Sequence, residues 1–253
     1  MANIFGDNSD GFANENEIID YLNTQKLYDN LNTNMKEFLS FLFSTDLKGS
    51  KISAFKPTGM VKPDVAITIN GITKYVSVKK GSGNSVHQEQ LSLFEMFLKS
   101  NSVTPQIITY LKEFHYGDGS TDGSGSTRVS ASDWLSNNNK KMIEINKAFK
   151  DECLLKKVFD RVLFVGNVSP APVVDSMFHG NVERALWASR EEITNYLLKV
   201  NNTSSTIHFS NLTYQVWNRN LNFNPDTANR RHVMQMKWAS LTDDLALIKR
   251  LRK

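Results

Sequence analysis

A single cysteine, Cys153, in 253 residues excludes an internal disulfide framework and suits a protein kept in a reducing interior. No apolar run approaches the roughly 20 residues that a bilayer-spanning helix needs. The opening residues MANIFGDNSDGF lack the basic stretch and apolar run of a secretory signal, so a cytoplasmic protein with no membrane partner is expected. Asn-x-Ser/Thr sequons such as those at Asn167, Asn202 and Asn211 then read as chance matches in an Asn-rich chain. His115, His179, His208 and His232 have no metal-ligand spacing among themselves or with Cys153, which argues against zinc. No glycine pattern surrounds Ser77 as it would a nucleophile elbow, so Ser77, His87 and Asp64 are not read as a hydrolase triad. Asp118 and Asp122, in the loop Gly117 to Ser126, lack the alternating oxygen ligands of an EF-hand.

What is present is an ordinary globular composition, 40% hydrophobic and 22% charged, long enough for a sizeable core. The net charge of +4 is unevenly spread. From Thr206 to Lys253 eight basic residues face three acids, a net of +5, so the preceding 205 residues sum to about −1. A basic final fifth on a near-neutral body points to a polyanion contact, with a solvated basic tail as the alternative.

Helical spacing covers Glu15 to about Asn30 and Met35 to Phe43, and Ile52 to Phe55 suits a short strand. Ser85 looks like the N-cap of a helix running through Leu98, and Pro105 to Phe114 reads as a buried strand. Gly117 to Ser126 (GDGSTDGSGS) reads as a flexible loop able to close over a ligand. Helical segments follow across Ser130 to Val158, then a strand at Val162 to Val165. Ser189 with Glu192 forms a capping box for a helix through Leu198. Two late strands, Thr206 to Trp217 and His232 to Trp238, flank the polar connection Asn218 to Arg231. Helices and strands mix without regular alternation, which predicts an α/β or α+β fold around a mixed sheet flanked by helices.

The richest stretch is Val65 to Lys79, two β-rich runs joined by Asn70-Gly71. Asn-Gly is the strongest short hairpin signal, because a type I′ turn needs positive φ at both centres. A two-residue turn there pairs residues whose numbers sum to 141, so Asp64 faces Ser77 and Lys79 lies one pleat further on the same face. Val65, Ile67, Ile69, Ile72, Val76 and Val78 then share one side, with Lys74 the only polar intruder. Asp64, Thr68, Thr73, Tyr75, Ser77 and Lys79 share the other. A carboxylate, a hydroxyl and an ammonium together suit metal-assisted phosphodiester hydrolysis. On the hairpin alone, an exposed cross-strand Asp–Lys pair of little energetic weight is an equal reading.

Pro63-Asp64 at the mouth of the first strand and Ser77-Val78-Lys79 near the end of the second resemble the PD-(D/E)xK nuclease motif. The flanking order of helix, three strands, helix and strand also resembles that fold, over about residues 14 to 166. Ser77 departs from the pattern, standing where the family has Asp or Glu. A subset of restriction endonucleases with this departure draws the carboxylate from the following helix. The resemblance therefore implies Glu89 as the second metal ligand with Asp64, Glu95 lying further along. It also implies a carboxylate from the helix before the first core strand, Glu17 with Glu37 second. His87, Gln88 and Asn84 would touch the DNA near the scissile phosphate, and Arg128 would reach a phosphate from the glycine-rich loop.

The implied activity is a Mg²⁺-dependent, type II restriction-type endonuclease cutting double-stranded DNA as a homodimer, since two antiparallel strands call for two sites about a twofold axis. A structure- or damage-directed nuclease of the same fold, or a DNA-binding protein whose site has decayed through Ser77, are the alternatives. Residues 1–166 would form the core and 167–253 a β-rich elaboration, compact with it. Arg219, Arg230, Arg231, Gln235 and Lys237 sit among asparagines between the two late strands, the side chains that read base edges and neutralise phosphates. Arg219 to Lys237 is thus the expected recognition element.

Overall fold

The computed structural model describes residues 9–81, 85–168 and 170–252. No described helix is long and apolar enough to cross a membrane. The fold mixes helices with two sheets, and the chain forms two units, each assembled from separate segments: residues 1–83, 163–196 and 240–253 in the first, 84–162 and 197–239 in the second. The expected boundary at residue 166 falls inside the first unit.

The first unit is built on a five-stranded mixed sheet in the order β1 (Ile52–Phe55), β2 (Val65–Ile69), β3 (Ile72–Lys79), β5 (Ser176–Gly180) and β6 (Ala185–Ser189). β3 and β5 run parallel and the other neighbours antiparallel. The predicted hairpin is present in the predicted register, with Val65 opposite Val76 and Ile69 opposite Ile72. Asn70 and Gly71 take φ of 51° and 79°, the left-handed pair that the turn demands. Val65, Ile67, Ile69, Val76 and Val78 are buried, joining Ile18 and Leu22 of α1 (Ser9–Gln25) and Met35, Phe38 and Leu39 of α2 (Thr33–Phe43) in one core. Ile72 is the exception on that face, 56% exposed at the turn. Lys74, the polar intruder, is matched by Asp175, whose carboxylate accepts from Lys74 Nζ at 3.0 Å and Tyr75 N at 2.8 Å.

β5 and β6 lack a sequence signal, since Phe178 and Trp187 pack on Phe38, which belongs to a distant segment. The capping box that follows them is as expected: Ser189 N donates to Glu192 Oε2 at 2.8 Å, and Glu192 N to Ser189 Oγ at 3.1 Å. It opens a helix over Arg190–Lys199.

The second unit carries an antiparallel sheet, β4 (Ser85–Gln90), β9 (Val233–Lys237), β8 (Leu212–Val216) and β7 (His208–Phe209). Three expectations are corrected here. Ser85–Gln90 is a strand, and α3 begins only at Leu91 (Leu91–Ser100), because β4 finds a ladder partner about 150 residues away that local patterning cannot reveal. Pro105–Tyr116 is the helix α4, not a strand. Its β-branched run misleads, whereas Ile107, Ile108, Leu111, Phe114 and His115 fall on one buried helical face and Pro105 sits at the first turn, where its missing N–H costs nothing. Asp160–Val165 is a π-helical turn continuing the helix Glu152–Phe159, not a strand. The run Thr206 to Trp217 is broken into β7 and β8 by a turn in which Ser210 has φ of 54°. The glycine-rich loop is tied down: Asp118 accepts from Ser120 N, Ser120 Oγ and Gly125 N and pairs with Arg231.

Phe94 and Phe114 pack on Tyr214, placing α3 and α4 against one face of this sheet. Between them His115 is fully buried, its Nε2 at 2.6 Å from the Arg231 carbonyl and its Nδ1 at 2.7 Å from the Tyr214 hydroxyl. The carbonyl can only accept, so Nε2 carries the proton and Nδ1 accepts from Tyr214. Burial pushes the ring's pKa down to about 3, below the ordinary 6.5. A folded-state pKa depressed below the unfolded value adds stability above about pH 6.5 that is lost as pH falls toward 3, where only the unfolded chain takes the proton. The His115 ring resonances should therefore not titrate between pH 8 and 4 by NMR. Urea unfolding should show a loss from this group approaching about 1.4 kcal/mol per pH unit below 6.5.

Candidate active site

The hairpin register delivers its polar groups to the mouth of β2. Asp64 precedes the strand, its N–H donating to the Val76 carbonyl at 2.9 Å. Its Oδ2 accepts from Ser77 Oγ at 3.0 Å, Val78 N at 2.7 Å and Lys79 Nζ at 3.1 Å. Lys79 Nζ also donates to the Val78 carbonyl at 3.0 Å, so one ammonium bridges two hard oxygens. The three bonds to the Asp64 side chain converge on Oδ2; Oδ1 has no bond to a described residue. Ser77 is 1% exposed while Asp64 and Lys79 keep about a fifth of their side-chain surface, so the hydroxyl fixes the carboxylate from within and the charges reach the surface.

Sequence reasoning missed a second, buried carboxylate whose charge reaches this cluster. It is Glu15, on α1, 8% exposed and bonded through Oε2 to Lys56 Nζ at 2.7 Å. Burial raises its pKa, the Lys56 hydrogen bond opposes that rise, and the Asp64 charge adds to it. Lys79 acts on it in the opposite sense. Glu15 thus lies within the electrostatic reach of both hairpin charges. The helical phase held the clue. Glu15, Ile18, Ile19 and Leu22 recur at the spacing of one face, whereas Glu17 is turned away and exposed, as is Glu37 on α2.

Glu89 belongs to the second unit, on a strand instead of a helix start. Its side chain is fully buried, with Arg161 Nε donating to Oε1 at 2.8 Å and Nη2 to Oε2 at 2.5 Å. His87 Nε2 lies 3.1 Å from Oε1. Burial pushes its pKa up, but the His87 and Arg161 hydrogen bonds outweigh that and hold it below the usual range. Both oxygens are thus committed to a guanidinium fork. Glu95 pairs with Lys99 and Lys112.

The expected recognition residues divide. Arg219 is buried over the Phe114 ring, bonded to the carbonyls of Val129 and Phe114, and burial lowers its pKa to about 10. Arg231 is 4% exposed, donating to Gly123 O and Tyr116 O and pairing with Asp118 at 3.0 Å. These two cations hold the fold together and do not present their guanidinium groups outward. Gln88 faces Gln235 across β4 and β9, and Lys237 lies on the same side of the sheet, opposite the face that packs on α3 and α4. Gln235 Nε2 donates to Ser85 Oγ at 2.8 Å. Arg128 and Arg230 lie over the rings of Phe223 and Trp217. Asn84 lies outside the described residues.

Hard oxygens of Asp64, Glu15 and the Val78 carbonyl fit Mg²⁺ by type, since Mg²⁺ is commonly held by one or two carboxylates and completed by water and phosphate oxygens. Among the described residues no three His, Cys, Asp or Glu side chains form a metal-holding group, so a cation here would lean on non-protein oxygens. The chain matches no protein-family model and no curated protein sequence.

Two outcomes check this geometry. Because the fold raises the Glu15 pKa, its charge costs stability once pH rises through that value. Glu15→Gln should unfold at an equal or higher temperature than the wild type at pH 8 while losing any activity of the cluster. Arg231→Ala strands the buried Asp118 and should cost about 3–5 kcal/mol of unfolding free energy in urea, whatever it does to ligand binding.

Proposed function

We propose that the chain is a Mg²⁺-dependent endonuclease of double-stranded DNA with a PD-(D/E)xK-like centre, of the type II restriction kind and working as a homodimer. The observation that carries this reading is the convergence of Ser77 Oγ, the Val78 N–H and Lys79 Nζ on Asp64, with the buried Glu15 near enough to feel both hairpin charges. Asp64 and Glu15 would hold the cation, with the Val78 carbonyl beside them. When bound, Mg²⁺ would supply polarisation of the scissile phosphate and a more acidic water.

The chain's own groups do the positioning. Ser77 Oγ and the Val78 N–H fix Asp64 Oδ2, which leaves Oδ1 for the cation. Lys79 Nζ, anchored between Asp64 and Val78 O, can orient a water and meet the negative charge that builds on the phosphate. Glu15 would offer one carboxylate oxygen to the cation while Lys56 holds Oε2. Gln88 and Lys237, with Arg128 and Arg230, form the DNA-reading set this proposal retains, Gln235 being buried and bonded to Ser85; glutamine amides pair with adenine edges and cations with guanine or phosphate.

Asp64→Ala and Lys79→Ala should each slow plasmid cleavage in Mg²⁺ by about 10³-fold or more, roughly 4 kcal/mol of transition-state stabilisation, while duplex affinity in a fluorescence anisotropy titration stays near wild type. Discrete fragments from the wild type would mark a site-specific enzyme, and nicks or a smear a structure-directed one. A Lys79→Ala protein that cuts at the wild-type rate would reduce the hairpin to a structural pair.

A further inference from the structure

The connection between β8 and β9 carries a feature that catalysis does not use. Leu221 is 48% exposed and Phe223 52%, in a loop rich in asparagines. Phe223 has φ of 57° and Asn220 φ of 52°. A left-handed conformation costs a bulky aromatic residue on the order of 1–2 kcal/mol, and it persists only where the surroundings impose it. Here they do. Asn220 is 2% exposed, its N–H donating to Asn218 Oδ1 at 2.7 Å and its Nδ2 to Asn224 O at 2.8 Å. Phe223 N donates to Asn220 O at 3.1 Å, and Arg128 Nη1 donates to the same carbonyl at 2.5 Å. The Arg128 guanidinium also lies 4.0 Å from the centre of the Phe223 ring. The base of the loop is buried and hydrogen-bonded, and its tip holds an aliphatic and an aromatic side chain in solvent.

The size and surroundings of this tip select its partner. Two apolar side chains set among Asn222, Asn229 and Asp226 are far too little for a stable protein interface, which buries about 800 Å² per partner. One or two such side chains are enough to wedge a base step, as minor-groove and architectural proteins do with Phe and Leu. Arg128 against Phe223, and Arg230 over Trp217 in the same connection, suit the phosphates that flank an opened step. Asp226 is the single acid in the connection from Asn218 to His232.

We infer that Leu221 and Phe223 form a rigid wedge that inserts between adjacent base pairs of bound duplex DNA, unstacking and unwinding it. The inference rests on the DNA-cleaving function proposed above and adds a deformation step to recognition. The strained backbone of Phe223 fixes the ring in advance, so binding does not have to order it. Energy spent opening the step depends on which bases are stacked there, so the wedge discriminates sequences that no side chain hydrogen-bonds, favouring soft pyrimidine–purine steps.

Unwinding is read without knowing the target sequence. The full chain carrying Asp64→Ala, so that DNA stays intact, is added with Mg²⁺ to a covalently closed plasmid, which is relaxed with topoisomerase I and stripped of protein. The linking number should fall in proportion to protein bound. Adding Leu221→Ala and Phe223→Ala should remove most of that deficit at matched occupancy, whereas Phe223→Trp should keep it. Duplex binding without any linking-number change, or a double variant that unwinds as well as its parent, overturns the wedge and leaves the nuclease reading standing. A chain that binds no duplex overturns both.

Discussion

Everything in the candidate centre hangs on the turn at Asn70-Gly71. Its two left-handed residues admit one register, and that register puts Asp64 beside Ser77 and Lys79 while the alternate residues go to the core. A slip of one residue would turn Val65, Ile67, Val76 and Val78 outward and scatter the polar set, losing aliphatic burial worth about 1.5–3 kcal/mol per side chain. The placement of the reactive groups is thus enforced by hydrophobic burial on the opposite side of the same ribbon. Neither set can drift without the other.

Cations serve opposite ends in the two units. Arg161, Arg219 and Arg231 are held within the second unit by carboxylates or backbone carbonyls, where the planar fork satisfies several acceptors at once. Lys56 and Lys79 in the first unit meet carboxylates that stay closer to solvent, and they offset charge that would otherwise accumulate on Glu15 and Asp64. A basic sequence segment is therefore a poor guide to a binding surface. Two of the five expected recognition residues between Arg219 and Lys237 are structural supports.

The sequence was most legible where structure is local. The hairpin, the helices at both N-terminal positions and the Ser189–Glu192 box each announce themselves within a few residues. It was least legible where a distant partner decides the outcome: β4 becomes a strand because β9 is there to pair with it, and β5 and β6 exist as neighbours of β3. Ile107-Ile108-Thr109 has strand propensity, yet the longer apolar period and Pro105 prevail. A second carboxylate was sought by its place in a motif, at Glu89 and Glu17, when the helical phase of α1 already marked Glu15 as facing inward. Glu89 was polar and near Lys79 in the chain, but Arg161, visible only in three dimensions, claims it.

The interleaving of the two units sets an order on synthesis. The hairpin that holds Asp64 and Lys79 leaves the ribosome early, but the sheet it belongs to is finished by β5 and β6 about a hundred residues later. The helix Leu241–Leu251 then packs on β6, and Arg252 donates to Glu192 and to the Trp187 carbonyl. The whole of 197–239 is made before that last helix. A growing chain therefore carries Asp64 and Lys79 for much of its translation without the finished sheet around them, and the first unit is completed only near the end of synthesis, when all of the other unit has been made.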